Sequence, residues 1–182
     1  MYKHILKPIL FSFNPETAHN MTFAGLKFLR YVPFAGSILR GLYKKDTPSL
    51  EKELFGIHFP NPVGLAGGLD KNGEFYNDMA NFGFGFVEIG SLTPQPQDGN
   101  PKPRCFRVPG DKALINRFGI NNKGVKNAVE HLKMVRPEVI VAANISKNST
   151  SVNEDAAKDY ESAFALLYDF VDMFVVNISC PN

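Results

Sequence analysis

The sequence has 182 residues, of which 44% are apolar and 21% charged, a composition typical of a globular domain and not of a disordered chain. Two cysteines are too few for a disulfide framework, and the four histidines form neither an HExxH nor an HxH pair, which argues against a disulfide-rich or zinc-binding protein. The net charge of +2 hides an asymmetry, because residues 1–50 hold seven Lys and Arg against two Asp and Glu, whereas residues 51–182 hold thirteen against sixteen. The front of the chain is therefore basic and its body slightly acidic.

The N-terminal segment predicts two short amphipathic helices. The first covers residues 15–31, with Asn14 as its N-cap and Pro15 at the first helical position, and the second covers residues 34–43 and ends in basic side chains. The opening stretch MYKHILKPILFSF has the charge pattern of a signal-peptide start, but Pro8 interrupts it and no small-residue cleavage site follows. We expect this stretch to be retained.

Five phenylalanines lie within the first 34 residues, which is more aromatic surface than two short helices easily bury. Two interpretations stay open, a helical hairpin packed on the core and a surface that binds another molecule. A basic segment can bind nucleic acid or lipid, and here its companions are Phe, Leu, Ile and Met instead of a dense run of Arg and Lys. The pattern therefore favours binding to a lipid surface. No apolar run in the sequence approaches the ~20 residues needed to span a bilayer.

After a linker at residues 46–48, the pattern changes to strands that alternate with helices. The predicted elements are a hairpin at 53–59, strands at 63–66, 86–89, 139–144 and 173–178, and helices at 74–82, 125–135 and 155–170. Strands that are apolar throughout are typical of parallel strands covered on both faces. Two architectures fit this pattern, a doubly wound open sheet and a (β/α)8 barrel of which four strands are half.

Polar or glycine-rich residues follow each predicted strand, in the stretches GGLDK, GSLTP, NISKN and NISCPN. A barrel places its active site where its strand ends converge. In the first stretch, Ala66, Gly67 and Gly68 can let backbone approach a flat ring closely, and Lys71 can place a positive charge against a ring that becomes anionic on reduction. The alternative is a tight turn, and the absence of GxGxxG spacing argues against a dinucleotide fingerprint.

Asparagines and a cysteine complete the candidate site. Asn116, Asn144 and Asn177 stand near strand ends or in adjoining loops, with Asn182 after them, and buried amides suit a planar ligand with alternating carbonyl and N–H edges. Any one of them is more often a cap or turn residue. Cys180 follows the last strand directly, and its polar surroundings favour a nucleophile or base over an inert buried thiol.

These motifs together resemble the membrane-associated, quinone-dependent class of the dihydroorotate dehydrogenase family over essentially the whole chain. The resemblance rests on the ordered stretches PETAH, GLAGGLDKNGE, FGFGFVEIGSLTPQPQDGNPKPRCFR, LINRFGINN and NISCPN. It implies an α/β fold, a (β/α)8 TIM barrel of which about the first half is present, preceded by a two-helix N-terminal extension. The extension would cover residues 1–45, and the FMN-binding half-barrel residues 46–182.

The resemblance also implies FMN as the cofactor and gives roles to individual positions. FMN contacts would come from Ala66, Gly67, Gly68, Ser91, Asn144 and Asn177. The substrate would be held by Lys71, Asn116, Asn177 and Asn182, and a quinone tunnel would be lined by His19 and Arg107. Cys180 falls on the position of the catalytic base, and no metal is implied.

Two positions depart from the pattern of that class. Cys180 stands where its members most often carry serine, cysteine being typical of the soluble class, and Ile120 stands where an aromatic residue is usual. The two-helix extension concerns the electron acceptor, whereas Cys180 concerns only the first half-reaction, in which the substrate is oxidised. We therefore still expect the quinone-using class. A cysteine base is chemically reasonable because a thiol, with an unperturbed pKa of ~8.5, is a stronger acid than a hydroxyl.

The implied function is oxidation of dihydroorotate to orotate in de novo pyrimidine biosynthesis, with hydride transfer to FMN and reoxidation by a membrane quinone. The expected partners are dihydroorotate or orotate, the quinone and the lipid bilayer surface, with no nucleic acid, and the expected location is peripheral, on the cytoplasmic face of the bacterial inner membrane. Barrels of this kind hold phosphate after strands 7 and 8, so this polypeptide alone is expected to be inactive. The alternatives are another FMN-dependent barrel oxidoreductase and a non-catalytic half-barrel that assembles with a second chain.

Overall fold

The computed structural model describes residues 2–45, 47–178 and 180. The α-helices are α1 (Lys7–Ser12), α2 (Pro15–Leu29), α3 (Ala35–Tyr43), α4 (Tyr76–Ala80), α5 (Val125–Met134) and α6 (Ala156–Leu167). The strands are β1 (Lys52–Leu54), β2 (Ile57–Phe59), β3 (Gly64–Asp70), β4 (Phe86–Leu92), β5 (Cys105–Val108), β6 (Ala113–Asn116), β7 (Ile140–Ile145) and β8 (Met173–Val176). Shorter helical turns cover Tyr2–Leu6, Pro48–Leu50 and Asn153–Asp155.

By its internal contacts the chain divides into two compact units. The first consists of residues 2–35 and 100–118, and the second of residues 36–99 and 119–180. This division separates α2 from α3, whereas the sequence predicted one extension up to residue 45. The predicted boundary concerns the domains of the whole protein and stays a prediction.

The first unit combines α1 and α2 with the antiparallel hairpin of β5 and β6. Asn14 caps α2, as predicted, because its Oδ1 accepts a hydrogen bond from the Glu16 amide at 3.0 Å, and Pro15 begins the helix. The sequence did not predict α1, since Pro8 was taken as an interruption. Pro8 instead lies in the first turn of α1, where a missing N–H is tolerated.

The hairpin of β5 and β6 was also missed. Its signal was present, because Pro109 and Gly110 form a turn dipeptide between two short apolar runs. The four paired positions run from Cys105 opposite Asn116 to Val108 opposite Ala113. The hairpin therefore brings Asn116 to the far end of β6, next to the start of β5.

The second unit is built on a four-stranded parallel sheet in the order β3, β4, β7, β8. The strands lie side by side in chain order with helices between them, which is the winding of a barrel and lacks the reversal of a doubly wound sheet. The sheet is not closed within the described residues. This order decides between the two architectures that the sequence left open, and the predicted half of a (β/α)8 barrel is confirmed.

The core of the second unit lies between the outer face of this sheet and the helices. Residues on this face of the sheet with little or no exposed surface are Val87, Ile89, Val141, Ala143 and Ile145. They are covered by helix residues Val125, Ala128, Leu132, Ala163 and Leu167. Because successive side chains of a strand alternate between faces, the residues between them on β4 and β7 face the other side of the sheet.

Helix α3 is attached to the body of the second unit. Arg40 donates hydrogen bonds to Asn81 Oδ1 at 2.6 Å and to Glu138 Oε2 at 3.0 Å, and the rings of Tyr43 and Phe82 lie 5.5 Å apart. A Cβ on Gly83 would lie 2.8 Å from the Tyr43 carbonyl oxygen, so the two segments pack closely. Of the linker predicted at 46–48, Asp46 lies outside the described residues.

Candidate functional site

All six predicted cofactor-binding residues lie on the four parallel strands or directly after them, within the second unit. Ala66, Gly67 and Gly68 lie on β3, Ser91 on β4, Asn144 on β7, and Asn177 directly after β8. Asn177 Nδ2 donates to Ser91 Oγ at 2.9 Å, a contact that links the ends of β8 and β4. The backbone of Asn177 is held as well, because its carbonyl accepts from the Tyr160 hydroxyl at 2.9 Å.

The glycines of β3 and β4 allow close contacts at this edge. A Cβ on Gly67 would lie 2.6 Å from Glu88 Oε1 and 3.4 Å from Asn144 Nδ2. Gly90 has φ +100, and a Cβ there would lie 2.5 Å from the Asn144 carbonyl oxygen. Any side chain at either position would therefore have to displace the polar groups of the neighbouring strands.

Asn144 is the most informative amide of the cluster. It is 8% exposed, its Nδ2 donates to Glu88 Oε1 at 2.6 Å, and its Oδ1 is buried without a hydrogen-bond partner. A buried acceptor left unpaired is destabilising by about 1–3 kcal/mol, and Asn144 Oδ1 is one of three such side-chain oxygens among the described residues, with those of Asn121 and Asn127. The site therefore offers a buried oxygen to a donor that a ligand can bring.

Two other buried asparagines show what a structural amide looks like in the same unit. Asn148 accepts from the Gln95 amide at 3.0 Å and donates to the Gln95 carbonyl at 2.9 Å. Asn122 accepts from the Thr93 amide at 3.2 Å and donates to the Thr93 hydroxyl at 2.9 Å. These pairs fix the loops after β4 and β7, and both amides use their donor and acceptor sides, unlike Asn144.

Asp70 holds the loop that carries Lys71. Its buried carboxylate accepts from the amides of Glu74 and Phe75, both at 2.8 Å, and burial raises the pKa of Asp70 above its usual value while these two hydrogen bonds oppose the rise. The Lys71 ammonium donates to the Gly68 carbonyl. The loop thus turns Lys71 back toward the glycine segment of β3, and its role beside a bound ring stays a prediction.

Cys180 is exposed and lies four residues beyond Val176, the last residue of β8. Its neighbours Ser179 and Pro181 lie outside the described residues, as does Asn182. The role of Cys180 as a base and that of Asn182 in substrate binding stay predictions. Among the described residues, no group of three or more His, Cys, Asp and Glu side chains is placed to hold a metal ion.

The remaining predicted site residues belong to the first unit. Arg107 donates to the carbonyls of Phe13 at 2.6 Å and Leu10 at 3.2 Å and lies 4.4 Å from the centre of the Phe11 ring. The His19 ring packs against the Phe23 ring with centroids 4.4 Å apart. Arg107 thereby joins the hairpin to α1, and both predicted quinone-tunnel residues lie in an aromatic environment.

A buried ion pair joins α2 to the hairpin segment and was not predicted. The Arg104 guanidinium, 6% exposed, donates to both carboxylate oxygens of Glu16 at 2.7 and 3.2 Å, and Lys102 lies 3.3 Å from the same carboxylate. The hydrogen bond from Arg104 is the main cause that holds the pKa of Glu16 below its usual value. The pairing fixes the helix that carries His19.

Sequence reasoning also missed Glu88. Its signal was a single acidic residue within the otherwise apolar strand FVEIG, between Val87 and Ile89. Those two neighbours are fully buried on the helix side, so Glu88 takes the opposite face. A charge placed there needs partners, and Asn144 is one.

The first unit exposes most of its aromatic surface. Phe11, Phe13, Phe28 and Phe34 are between 41% and 79% exposed, and only Phe23 of the five predicted phenylalanines is buried. Among the described residues, no helix combines the length and the apolar character needed to cross a bilayer.

Comparisons with known proteins agree with the parallel α/β fold. The family model described as dihydroorotate dehydrogenase matches residues 49–182. The dihydroorotate dehydrogenase (quinone) of Christiangramia forsetii is 46% identical over the whole chain, which covers 53% of that protein, and its counterpart in Coxiella burnetii is 48% identical with 51% covered. The crystal structure of DHODH from Eimeria tenella in complex with ferulenol is 37% identical in sequence and matches with a TM-score of 0.78. The match covers 93% of this chain and 45% of the Eimeria chain. The chain thus spans about half the length of the curated relatives it matches.

Proposed function

Because the chain belongs to the dihydroorotate dehydrogenase family, we propose that the complete protein oxidises dihydroorotate to orotate, with FMN as cofactor and a membrane quinone as the final electron acceptor. The observation that carries the proposal is the polar cluster at the strand ends, in which Asn144 offers a buried, unpaired oxygen beside the glycines of β3. Relatives named as the quinone-dependent enzyme support the choice of electron acceptor.

The residues of the cluster fit an FMN ring. When bound, FMN supplies the ring system that accepts a hydride. The ring would be held by Ala66, Gly67, Gly68, Ser91, Asn144 and Asn177. The fit rests on the glycine backbone, which permits close approach of a flat ring, and on amides that can pair with its alternating carbonyl and N–H edge.

The substrate would be held by amides and a cation. Lys71, Asn116, Asn177 and Asn182 are the proposed contacts, and their donors suit the carboxylate and the ring carbonyls of dihydroorotate. The reaction removes a proton from C5 and a hydride from C6. Cys180, as the thiolate, would accept the proton, and a positioned base of this kind contributes ~100-fold to 10,000-fold to the rate.

The first unit would serve the electron acceptor. Its exposed phenylalanines and basic side chains suit the interface of a lipid bilayer, where aromatic rings and cations are favoured. His19 and Arg107 would line the quinone path in this aromatic environment. The protein would accordingly be peripheral, at the cytoplasmic face of the bacterial inner membrane, and active in pyrimidine biosynthesis.

The test is the purified full-length protein. We expect a yellow preparation whose noncovalent chromophore is FMN, bleached by dihydroorotate without oxygen and restored by a soluble quinone. A colourless protein that stays inactive after FMN is added would contradict the proposal. Bleaching by another donor but not by dihydroorotate would instead indicate a different FMN-dependent barrel oxidoreductase.

A further inference from the structure

Glu88 and Asn144 form a pair across two hydrogen-bonded strands. In the register of β4 and β7, Glu88 lies opposite Ala142, two residues before Asn144, so both side chains stand on the same face of the sheet. Asn144 Nδ2 donates to Glu88 Oε1 at 2.6 Å.

This pair fixes which end of the Asn144 amide faces away from Glu88. A carboxylate only accepts hydrogen bonds, whereas an amide carries a donor nitrogen on one side and an acceptor oxygen on the other. Turning the Asn144 amide over would bring two oxygens together at the position of the present 2.6 Å contact. The carboxylate of Glu88 therefore holds Oδ1 of Asn144 in the outward orientation, in which it is buried and unpaired.

Gly67 makes the pair possible. The position of its absent Cβ is 2.6 Å from Glu88 Oε1, so a side chain there would displace the carboxylate and with it the orientation of the amide. The glycine of β3, the glutamate of β4 and the asparagine of β7 thus act on one atom, Asn144 Oδ1. Three neighbouring strands contribute to a single acceptor.

We propose that Glu88 is a positioning residue that orients the Asn144 amide so that its oxygen accepts a hydrogen bond from an imide N–H of the ligand. This inference rests on the proposed function, because the imide N–H between two carbonyls is the one N–H on the pyrimidine edge of oxidised FMN. The orientation selects against a ligand that lacks this donor. Glu88 itself contacts Asn144 and is not a catalytic residue.

The experiment compares the binding of FMN and of 3-methyl-FMN, in which a methyl group replaces the imide hydrogen. Dissociation constants are measured by flavin fluorescence quenching on the full-length apoprotein without dihydroorotate. The wild type is expected to bind FMN about 10-fold more tightly than the methylated cofactor, the ratio that one net hydrogen bond produces. In Glu88→Met, whose side chain no longer dictates the amide orientation, the ratio is expected to fall to about 2-fold or less.

A charge-exchange cycle tests the same orientation independently. Asn144→Asp places two carboxylates in contact and is expected to weaken FMN binding by at least about 10-fold. Adding Glu88→Gln restores a donor to this contact and frees the second oxygen of the new carboxylate to accept the imide N–H. The double variant is expected to recover FMN affinity to within about 3-fold of wild type, a coupling that two independent structural losses would not give.

Glu130→Gln, at an exposed glutamate of α5, is the matched control for loss of one negative charge. The inference is overturned if the ratio of the two dissociation constants in Glu88→Met equals that of the wild type. It is also overturned if Asn144→Asp weakens FMN binding equally with and without Glu88→Gln. If Glu88→Met does not fold, as its melting temperature would show, the charge-exchange cycle decides.

A wild-type apoprotein that binds neither flavin contradicts the proposed function instead. The Glu88 variants could instead change only the preference for orotate over 3-methylorotate. Asn144 would then accept its hydrogen bond from the substrate, and the assignment to FMN would be overturned.

Discussion

At the scale of single residues, the proposed reaction assigns the role of the base to Cys180. If it is the base, Cys180→Ala should slow the reduction of bound FMN by dihydroorotate by about 100-fold to 10,000-fold. Cys180→Ser should retain part of the activity with its pH dependence moved to higher pH, because a hydroxyl is a weaker acid than a thiol. Stopped-flow bleaching of the flavin measures both rates.

Reoxidation of prereduced protein by a quinone is the control for Cys180, since the base acts only in the first half-reaction. It should be nearly unchanged in both variants. Bleaching of the Cys180→Ala variant at close to the wild-type rate would make Cys180 a packing residue.

Gly67 gives a second test at this scale. In Gly67→Ala the new Cβ meets the mobile end of the Glu88 side chain at 2.6 Å, so the carboxylate must move away from Asn144. Folding should change little, but FMN affinity should fall about 10-fold through loss of the oriented acceptor. Titration of apoprotein with FMN, with a melting curve of each variant, measures the two effects.

Gly25→Ala is the matched control, because a Cβ at that helical position meets nothing within 4 Å and alanine favours a helix. Its FMN affinity should equal that of wild type. A Gly67→Ala variant that binds FMN normally would show that the Glu88 carboxylate finds another route to Asn144.

At the scale of elements, the ion pair of Glu16 and Arg104 joins α2 to the hairpin segment. Arg104→Met should destabilise the protein by about 2 kcal/mol near neutral pH, because the charge-assisted hydrogen bonds of a largely buried carboxylate are lost. The folded-state pKa of Glu16 lies below its usual value of 4.5. The stabilisation is therefore present above that value and is lost as the pH falls through the folded-state pKa.

Denaturant unfolding of wild type and variant between about pH 3 and pH 7 measures this difference, which should shrink on acidification. Lys158→Met is the control, since Lys158 is 78% exposed and its pair with Asp155 lies on the surface. That substitution should change stability by less than about 0.5 kcal/mol at any of these pH values. An Arg104→Met effect that is independent of pH would assign the loss to packing and not to the ion pair.

The aromatic surface of the first unit gives a prediction about lipid. Phe28 and Phe34 are 68% and 79% exposed, so replacing both with serine removes apolar surface without opening a cavity. If these rings insert into the interface, partitioning onto anionic vesicles should fall at least about 10-fold, because burial of a phenylalanine contributes up to about 3 kcal/mol. Co-sedimentation with vesicles measures it.

Phe55→Ser is the matched control for the aromatic surface. Phe55 is 96% exposed, at the turn between β1 and β2 in the other unit, so its loss should leave vesicle binding unchanged. Equal effects of both sets of substitutions would show general hydrophobic adsorption instead of a specific surface.

At the scale of the whole molecule, the two units should divide the two half-reactions. Deletion of residues 2–34 removes α1 and α2 but keeps α3, whose Arg40 and Tyr43 contacts belong to the second unit. The full-length protein without these residues should still reduce FMN with dihydroorotate. It should lose most of its activity with long-tailed quinones and most of its binding to vesicles. Anaerobic flavin bleaching and quinone assays separate the effects.

Extending the deletion to residue 45 should also lower the melting temperature, because it removes the hydrogen bonds from Arg40 to Asn81 and Glu138. A shorter deletion that used long-tailed quinones as well as the intact protein would contradict the quinone role of the first unit.

The sequence by itself determined the local structure and the chemical character of the strand ends. Apolar strands, the cap at Asn14 and the exposed phenylalanines depend on neighbours in the chain and on composition, so they could be predicted from periodicity and residue type. The same holds for the residues after each strand, since parallel strands bring their carboxyl ends to one edge. These features specified a half-barrel candidate and, through the ordered motifs, the family.

Only the tertiary structure decided which groups meet. The tertiary structure decided the winding of the sheet, the place of α3 in the second unit and the pairs Glu16–Arg104 and Glu88–Asn144. These contacts join residues far apart in the chain, up to the 98 positions between Arg40 of α3 and Glu138. No periodicity encodes such contacts, because they follow from the register between strands and the packing of whole elements. The difference between Asn144 and the satisfied Asn148 has the same origin, since an asparagine's function depends on which partners its two ends find.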